Sequence, residues 1–128
     1  MGRFQELKVW RRGKDLAVWV YQTTGQGEFC RDFGLRDQIR RAVVSIPSNI
    51  AEGDELNTNA QAVRHFYIAK SSTAEALTQG IIAREIGYLS PAQYEHIEQE
   101  CTALSSMLNR LIQARQSSLT SSPQSPKP

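Results

Sequence analysis

Apolar residues recur along this chain at intervals of three and four, the period of helices that bury one side. Val9, Gly13, Leu16, Val20 and Thr24 share a face, widened by Trp10 and Ala17, and predict a first helix from about Leu7 to Thr24. TTGQGEFCRDFG then interrupts the pattern with three glycines. Leu35, Ile39, Ala42, Val43, Ile46 and Ile50 define a second helix. Thr58 with Gln61 reads as a capping box for a third, which runs to about Ile86 and stops at Gly87. Ser90, Pro91 and Gln93 open a fourth, whose seam is Tyr94, Ile97, Cys101, Leu104, Leu108 and Leu111. No segment sustains the two-residue alternation of a strand. Four helices on short loops predict an all-α fold, an up-down-up-down antiparallel four-helix bundle.

Pro47 lies inside the second apolar stripe without shifting its phase. One helix kinked at Pro47 fits this continuity, although the missing N–H costs about 3 kcal/mol in an unsupported helix interior. The alternative is a helix that ends at Ser45, with Pro47 opening a new turn. In the first case Asn49 and Glu52 make structural hydrogen bonds, and Gly53 lets the chain turn toward the third helix.

The third helix has more apolar surface than one bundle can cover. Val63, Tyr67, Lys70, Ala74, Leu77 and Ile81 form one row; Ile68, Ser72, Glu75, Ile82 and Ile86 form a second. A third row of mostly small residues includes Phe66, Ala69, Ala76 and Gly80. A second copy of the chain is the simplest cover, so a homo-oligomer is expected, with Trp19, Phe66, Ala69, Ala76 and Gly80 at its interface. The small-residue row is also compatible with the tight side of an intramolecular core.

At 40% hydrophobic and 22% charged, the 128-residue chain reads as one globular domain over 1–115. The Ser/Pro-rich stretch 116–128 reads as a disordered tail. No apolar run is long enough to span a membrane, and no export signal opens the chain, so a cytoplasmic location with reduced cysteines is expected. The net charge is only +2, but up to Arg41 nine Lys or Arg face five acids. Lys8, Arg11, Arg12 and Lys14 crowd the first helix, and Arg36, Arg40 and Arg41 the second; antiparallel packing puts these clusters at opposite ends of a subunit. They are the candidate nucleic-acid contacts, to RNA or DNA. Trp19 could stack on a base or enter a subunit interface.

Enzymatic signals are weak. His65 and His96 lack metal-ligand spacing, and no nucleophile elbow or phosphate loop occurs. Glu52 and Glu75 could do acid–base work as a pair, but pairing with Arg40 or Arg41 is the better reading. No catalytic residue, metal or cofactor is expected.

LRDQIRRAVVSIPSNIAEG, Leu35 to Gly53, resembles the signature of the four-helix-bundle proteins of the 23S rRNA intervening-sequence family. Pro47, Asn49, Glu52 and Gly53 fall on its pattern. LKVW at Leu7 resembles the family's opening, and RHFYIAKSSTAEALTQ at Arg64 its third-helix motif, which includes Glu75. Ser71, Leu77 and the loop after the first helix depart from the pattern. The resemblance implies a ring-like homopentamer with basic surface. It also implies kinship with the accessory protein of diversity-generating retroelements, which binds a reverse transcriptase and nucleic acid. The function expected is therefore a non-enzymatic, oligomeric nucleic-acid-binding accessory protein, or else a scaffold that docks such a protein partner.

Overall fold

Polar side chains placed at the helix starts take up free backbone N–H groups and fix where three of the four helices begin. The computed structural model describes residues 3–56 and 58–120, and among these it contains four α-helices and no strand. They are α1 (Lys8–Thr24), α2 (Phe33–Glu55), α3 (Asn59–Ile86) and α4 (Pro91–Thr120). Asp32 caps α2 by accepting from the Leu35 amide at 3.1 Å, and Thr58 caps α3 by accepting from the Gln61 amide at 3.2 Å. Ser90 and Gln93 form a full capping box on α4: the Gln93 amide donates to Ser90 Oγ at 3.1 Å, and the Ser90 amide to Gln93 Oε1 at 2.8 Å. Gly87 ends α3 at φ 101°, a left-handed conformation that costs glycine little.

α2 is one helix from end to end, with Pro47 inside it and buried. Helix and proline coexist because the neighbourhood supports them. Asn49 Nδ2 donates to the Ser45 carbonyl at 2.9 Å, tying the turn together across the proline. On the other side Gly13 of α1 lets the chain approach: a Cβ there would lie 3.2 Å from Ile46 Cγ2 and 3.6 Å from Pro47 Cδ.

The helices meet with their residue numbers running in opposite senses. Gln38, Ser45, Asn49 and Gly53 of α2 lie against Gln79, Ser72, His65 and Phe66 of α3. Gly80 of α3 admits Ile97 of α4, whereas Asn59 near the start of α3 meets Arg115. Arg12 and Trp19 of α1 reach Glu100 and His96 of α4. The core between them contains Leu16, Ile46, Ile50, Phe66, Leu104 and Leu108, all essentially inaccessible to solvent. The α4 seam turns inward at Ile112 rather than Leu111, which is only partly buried.

The expectations for α3 and for Gly53 change. The small-residue row of α3 is the inside of this bundle: Phe66, Ala69 and Ala76 are wholly buried and Gly80 is filled by Ile97, so none of them is available to a second copy. Ala62, Ala69, Ala76 and Ala83, spaced seven apart, form a continuous buried stripe. Gly53 does not turn the chain. It is helical and buried, and its missing side chain makes room for Phe66.

The fourth helix continues to Thr120, past the expected limit at Arg115. The remainder of the Ser/Pro-rich stretch, 121–128, lies outside the described residues. The glycine-rich loop also contributes to the core. It folds into a short 3-10 turn, Phe29–Arg31, that buries Phe29 against Tyr88 with ring centroids 5.2 Å apart.

Candidate functional site

Polar residues of α2 and α3 meet along one seam. Ser72 Oγ donates to Ser45 Oγ at 2.8 Å, and Ser45 Oγ also accepts from Asn49 Nδ2 at 3.0 Å. With its amide nitrogen facing Ser45, Asn49 is left with Oδ1 as an acceptor. His65 Nδ1 lies 3.0 Å away and therefore carries the proton. Glu52 Oε1 is 3.6 Å from the same nitrogen, so its neighbour is a histidine and not the expected arginine. Toward the start of α2 the seam opens into a hollow of about 290 Å³ lined by Gln38, Arg41, Ser45, Ser72, Glu75 and Gln79. Arg41 and Glu75 share this hollow, but they form no ion pair. A chain of serine and amide groups with one histidine can fix helix register, yet it presents no activated nucleophile. Among the described residues no three His, Cys, Asp or Glu side chains converge to hold a metal ion.

The seven basic candidates divide into two groups. Arg12 grips Glu100 with two hydrogen bonds, at 2.8 and 3.3 Å, and the hydrogen bond raises its pKa. Arg36 donates to Asp37 at 3.0 Å, which likewise raises its pKa, and also to the Cys30 carbonyl at 3.0 Å. Arg40 donates to Thr24 Oγ1 at 2.9 Å and to the Tyr21 carbonyl at 3.2 Å, with its guanidinium over the Tyr21 ring. Lys14 contacts its neighbour Asp15 at 2.7 Å. These groups are held by their own chain. Lys8, Arg11 and Arg41 are exposed or open to a hollow and have no ion-pair partner among the described residues. The clusters do sit at opposite ends, since the start of α1 faces the end of α2. Arg110 lines a hollow with Lys8 across α1 and α4. Nothing local in the sequence marks Arg110; only the docking of α4 on α1 brings it there.

Among the described residues exposed apolar side chains gather in two places, apart from Phe33, whose ring lies under the Arg36 guanidinium. A groove of about 550 Å³ runs between α1 and α2, lined by Trp10, Ala17, Val18, Tyr21, Val44 and Pro47 among others, with Lys14 its one charged lining residue. Val18 is 49% exposed, Tyr21 45% and Val44 42%. The outer side of α3 is the second place: Ile68, Ile82 and Ile86 are exposed along one row, and Tyr67 and Ile81 on the other. The sequence reading found this surplus but not the groove, because Val18 and Tyr21 fall outside the α1 stripe. Trp19 is half-buried and packs on His96 at 4.5 Å between centroids, so its own chain already supplies a ring partner.

No helix among the described residues is long and apolar enough to cross a membrane. No curated protein matches the chain. A crystal structure of a protein with unknown function from the S23 ribosomal protein family of Bacteroides thetaiotaomicron has the same fold, at a TM-score of 0.76 and 23% identity over 81% of this chain and 97% of that one. The family model described as 23S rRNA-intervening sequence protein matches residues 5–110. Together with the four helices and the Leu35–Gly53 signature, that match over most of the chain makes this protein a member of the 23S rRNA-intervening sequence protein family.

Proposed function

We propose that this chain is a non-enzymatic assembly module: an up-down-up-down bundle that self-associates, forming a ring of the kind expected from its family, and offers its basic surface to nucleic acid. The observation that carries this reading is the apolar groove between α1 and α2, where Val18, Tyr21 and Val44 remain close to half exposed beside a well-filled core. Contiguous apolar surface of this kind costs solubility unless something covers it. Light scattering coupled to size exclusion, from micromolar to hundreds of micromolar chain, tests it. A mass of several chains is expected, and a single-chain mass throughout would end the proposal.

Nucleic-acid binding rests on a separate observation: Lys8 and Arg110 line one hollow where α1 and α4 meet, exposed Arg11 follows Lys8 by three residues along α1, and none of the three has an acidic partner among the described residues. Repetition of such a patch around an assembly multiplies weak phosphate contacts. Replacing all three by alanine should weaken binding to structured RNA or duplex DNA and flatten its salt dependence, whereas Arg12→Ala should leave the salt slope nearly unchanged. Equal effects of the two variants would remove the patch from consideration.

A further inference from the structure

The polar hollow between α2 and α3 holds three groups that the bundle itself does not use. Arg41 lines it from α2 and Glu75 from α3, and neither has an ion-pair partner among the described residues. Arg41 also borders a second hollow with Asp37, but Arg36 engages that carboxylate at 3.0 Å. The third group is the amide of Gln79. Its Nε2 donates to Gln38 Oε1 at 3.5 Å, whereas its Oε1 is buried and accepts from no described group. A buried acceptor without a donor is costly, so this oxygen favours a molecule that brings it an N–H or O–H.

The rest of the lining is small: Ala42, with Ser45 and Ser72 hydrogen-bonded to each other at 2.8 Å. At about 290 Å³ the hollow lies at the lower end of small-molecule sites, which run from roughly 300 to 1,000 Å³. It suits a ligand of a few heavy atoms. Charge narrows the chemistry further. A simple anion drawn to Arg41 would also meet Glu75, and a simple cation drawn to Glu75 would meet Arg41. A small molecule that carries both charges satisfies both residues at once.

We infer that this hollow is a binding site for a free α-amino acid with a small side chain. Its carboxylate meets the Arg41 guanidinium, whose planar fork can hold both oxygens. Its ammonium supplies three donors, enough for the Glu75 carboxylate and for Gln79 Oε1. The narrow space beside Ala42, Ser45 and Ser72 limits the side chain to about the size found in glycine, alanine or serine. The site lies apart from the basic patch of α1 and α4 and needs no second copy of the chain.

Calorimetric titration of the full chain with L-serine, N-acetyl-L-serine and L-serinamide tests this. L-Serine should bind saturably, with a Kd of about 1 mM or tighter. The acetylated compound lacks the ammonium and the amide lacks the carboxylate, so each should bind weaker by roughly tenfold or more. Arg41→Gln should erase the preference for L-serine over L-serinamide, and Glu75→Gln the preference over N-acetyl-L-serine. A merely structural role would instead weaken all three compounds alike. Both side chains are exposed, and circular dichroism checks that the variants keep their helix content. Should either variant lose it, the comparison of the three compounds on the parent chain decides alone. No saturable binding of L-serine, L-alanine or glycine up to about 10 mM overturns the proposal. Equal binding of N-acetyl-L-serine also overturns it, since that is anion capture by a cation alone, as does L-serine binding that neither substitution changes.

Discussion

Gly53 lies directly under the ring of Phe66, so close that a Cβ on Gly53 would come 2.9 Å from Phe66 Cδ1 and 3.1 Å from the Ala62 carbonyl oxygen. The ring is wholly buried and the second contact is backbone, so neither can give way easily. Gly53→Ala should therefore destabilise the protein by about 1–2 kcal/mol net, overpacking outweighing the roughly 1 kcal/mol that alanine gains in a helix. Urea unfolding measures it. Gly34→Ala is the control: its Cβ would meet nothing closer than 3.8 Å, and it should be neutral or stabilising.

Asn49 is the link that joins Ser45 to His65. Asn49→Ala removes the side-chain bond that braces the turn around Pro47 and leaves the inward nitrogen of His65 without its acceptor. A loss of about 1–2 kcal/mol is expected in the same unfolding assay. No measurable change would mean that the proline needs no such brace.

Arg40 secures the last turn of α1. Arg40→Ala should lower stability by about 1–2 kcal/mol, and amide hydrogen exchange near Thr24 should speed up. Arg40→Lys should not restore it, since an ammonium cannot hold Thr24 Oγ1, the Tyr21 carbonyl and the Tyr21 ring at once. Full rescue by lysine would show that charge alone matters at this position.

Burial pushes the Cys101 thiol up to about 12. The unfolded chain loses the same proton near the ordinary value of 9.0, so this group's share of stability is complete below pH 9 and declines as pH rises toward 12. In the folded protein Cys101 should resist thiol reagents at neutral pH, while half-buried Cys30 reacts faster. Mass spectrometry after brief alkylation distinguishes the two, and equal labelling would contradict this burial.

The helices and most of the core were legible because their signals are local. Apolar spacing marked Val9, Leu16, Ile39, Ile46 and Leu104, and short capping motifs marked Thr58 and Ser90. Which face of α3 points inward was not legible, since all its rows carry apolar residues. The docking of α2 and α4 decides it, selecting the row whose small side chains let both approach closely. Phe29 was missed because a glycine-rich loop has no periodicity to read. Arg12 looked free because its partner Glu100 lies across the bundle, the true partners of Arg40 lie at the end of α1 rather than among the acids, and Arg110 went unnoticed because only the docking of α4 brings it to Lys8.

The alanine stripe of α3 repeats every seven residues, close to two turns of helix. A surface with that repeat looks nearly the same after a slide of one heptad, so by itself it would tolerate several alignments of α3 on its neighbours. The irregular positions remove this degeneracy. Phe66 has one glycine to lie against, Ile97 has one gap at Gly80, and on α2 Ser72 meets Ser45 while His65 meets Asn49 and Glu52. These few positions make one alignment out of many, and replacing them with more alanine would leave a helical bundle that no longer knows which rung it stands on.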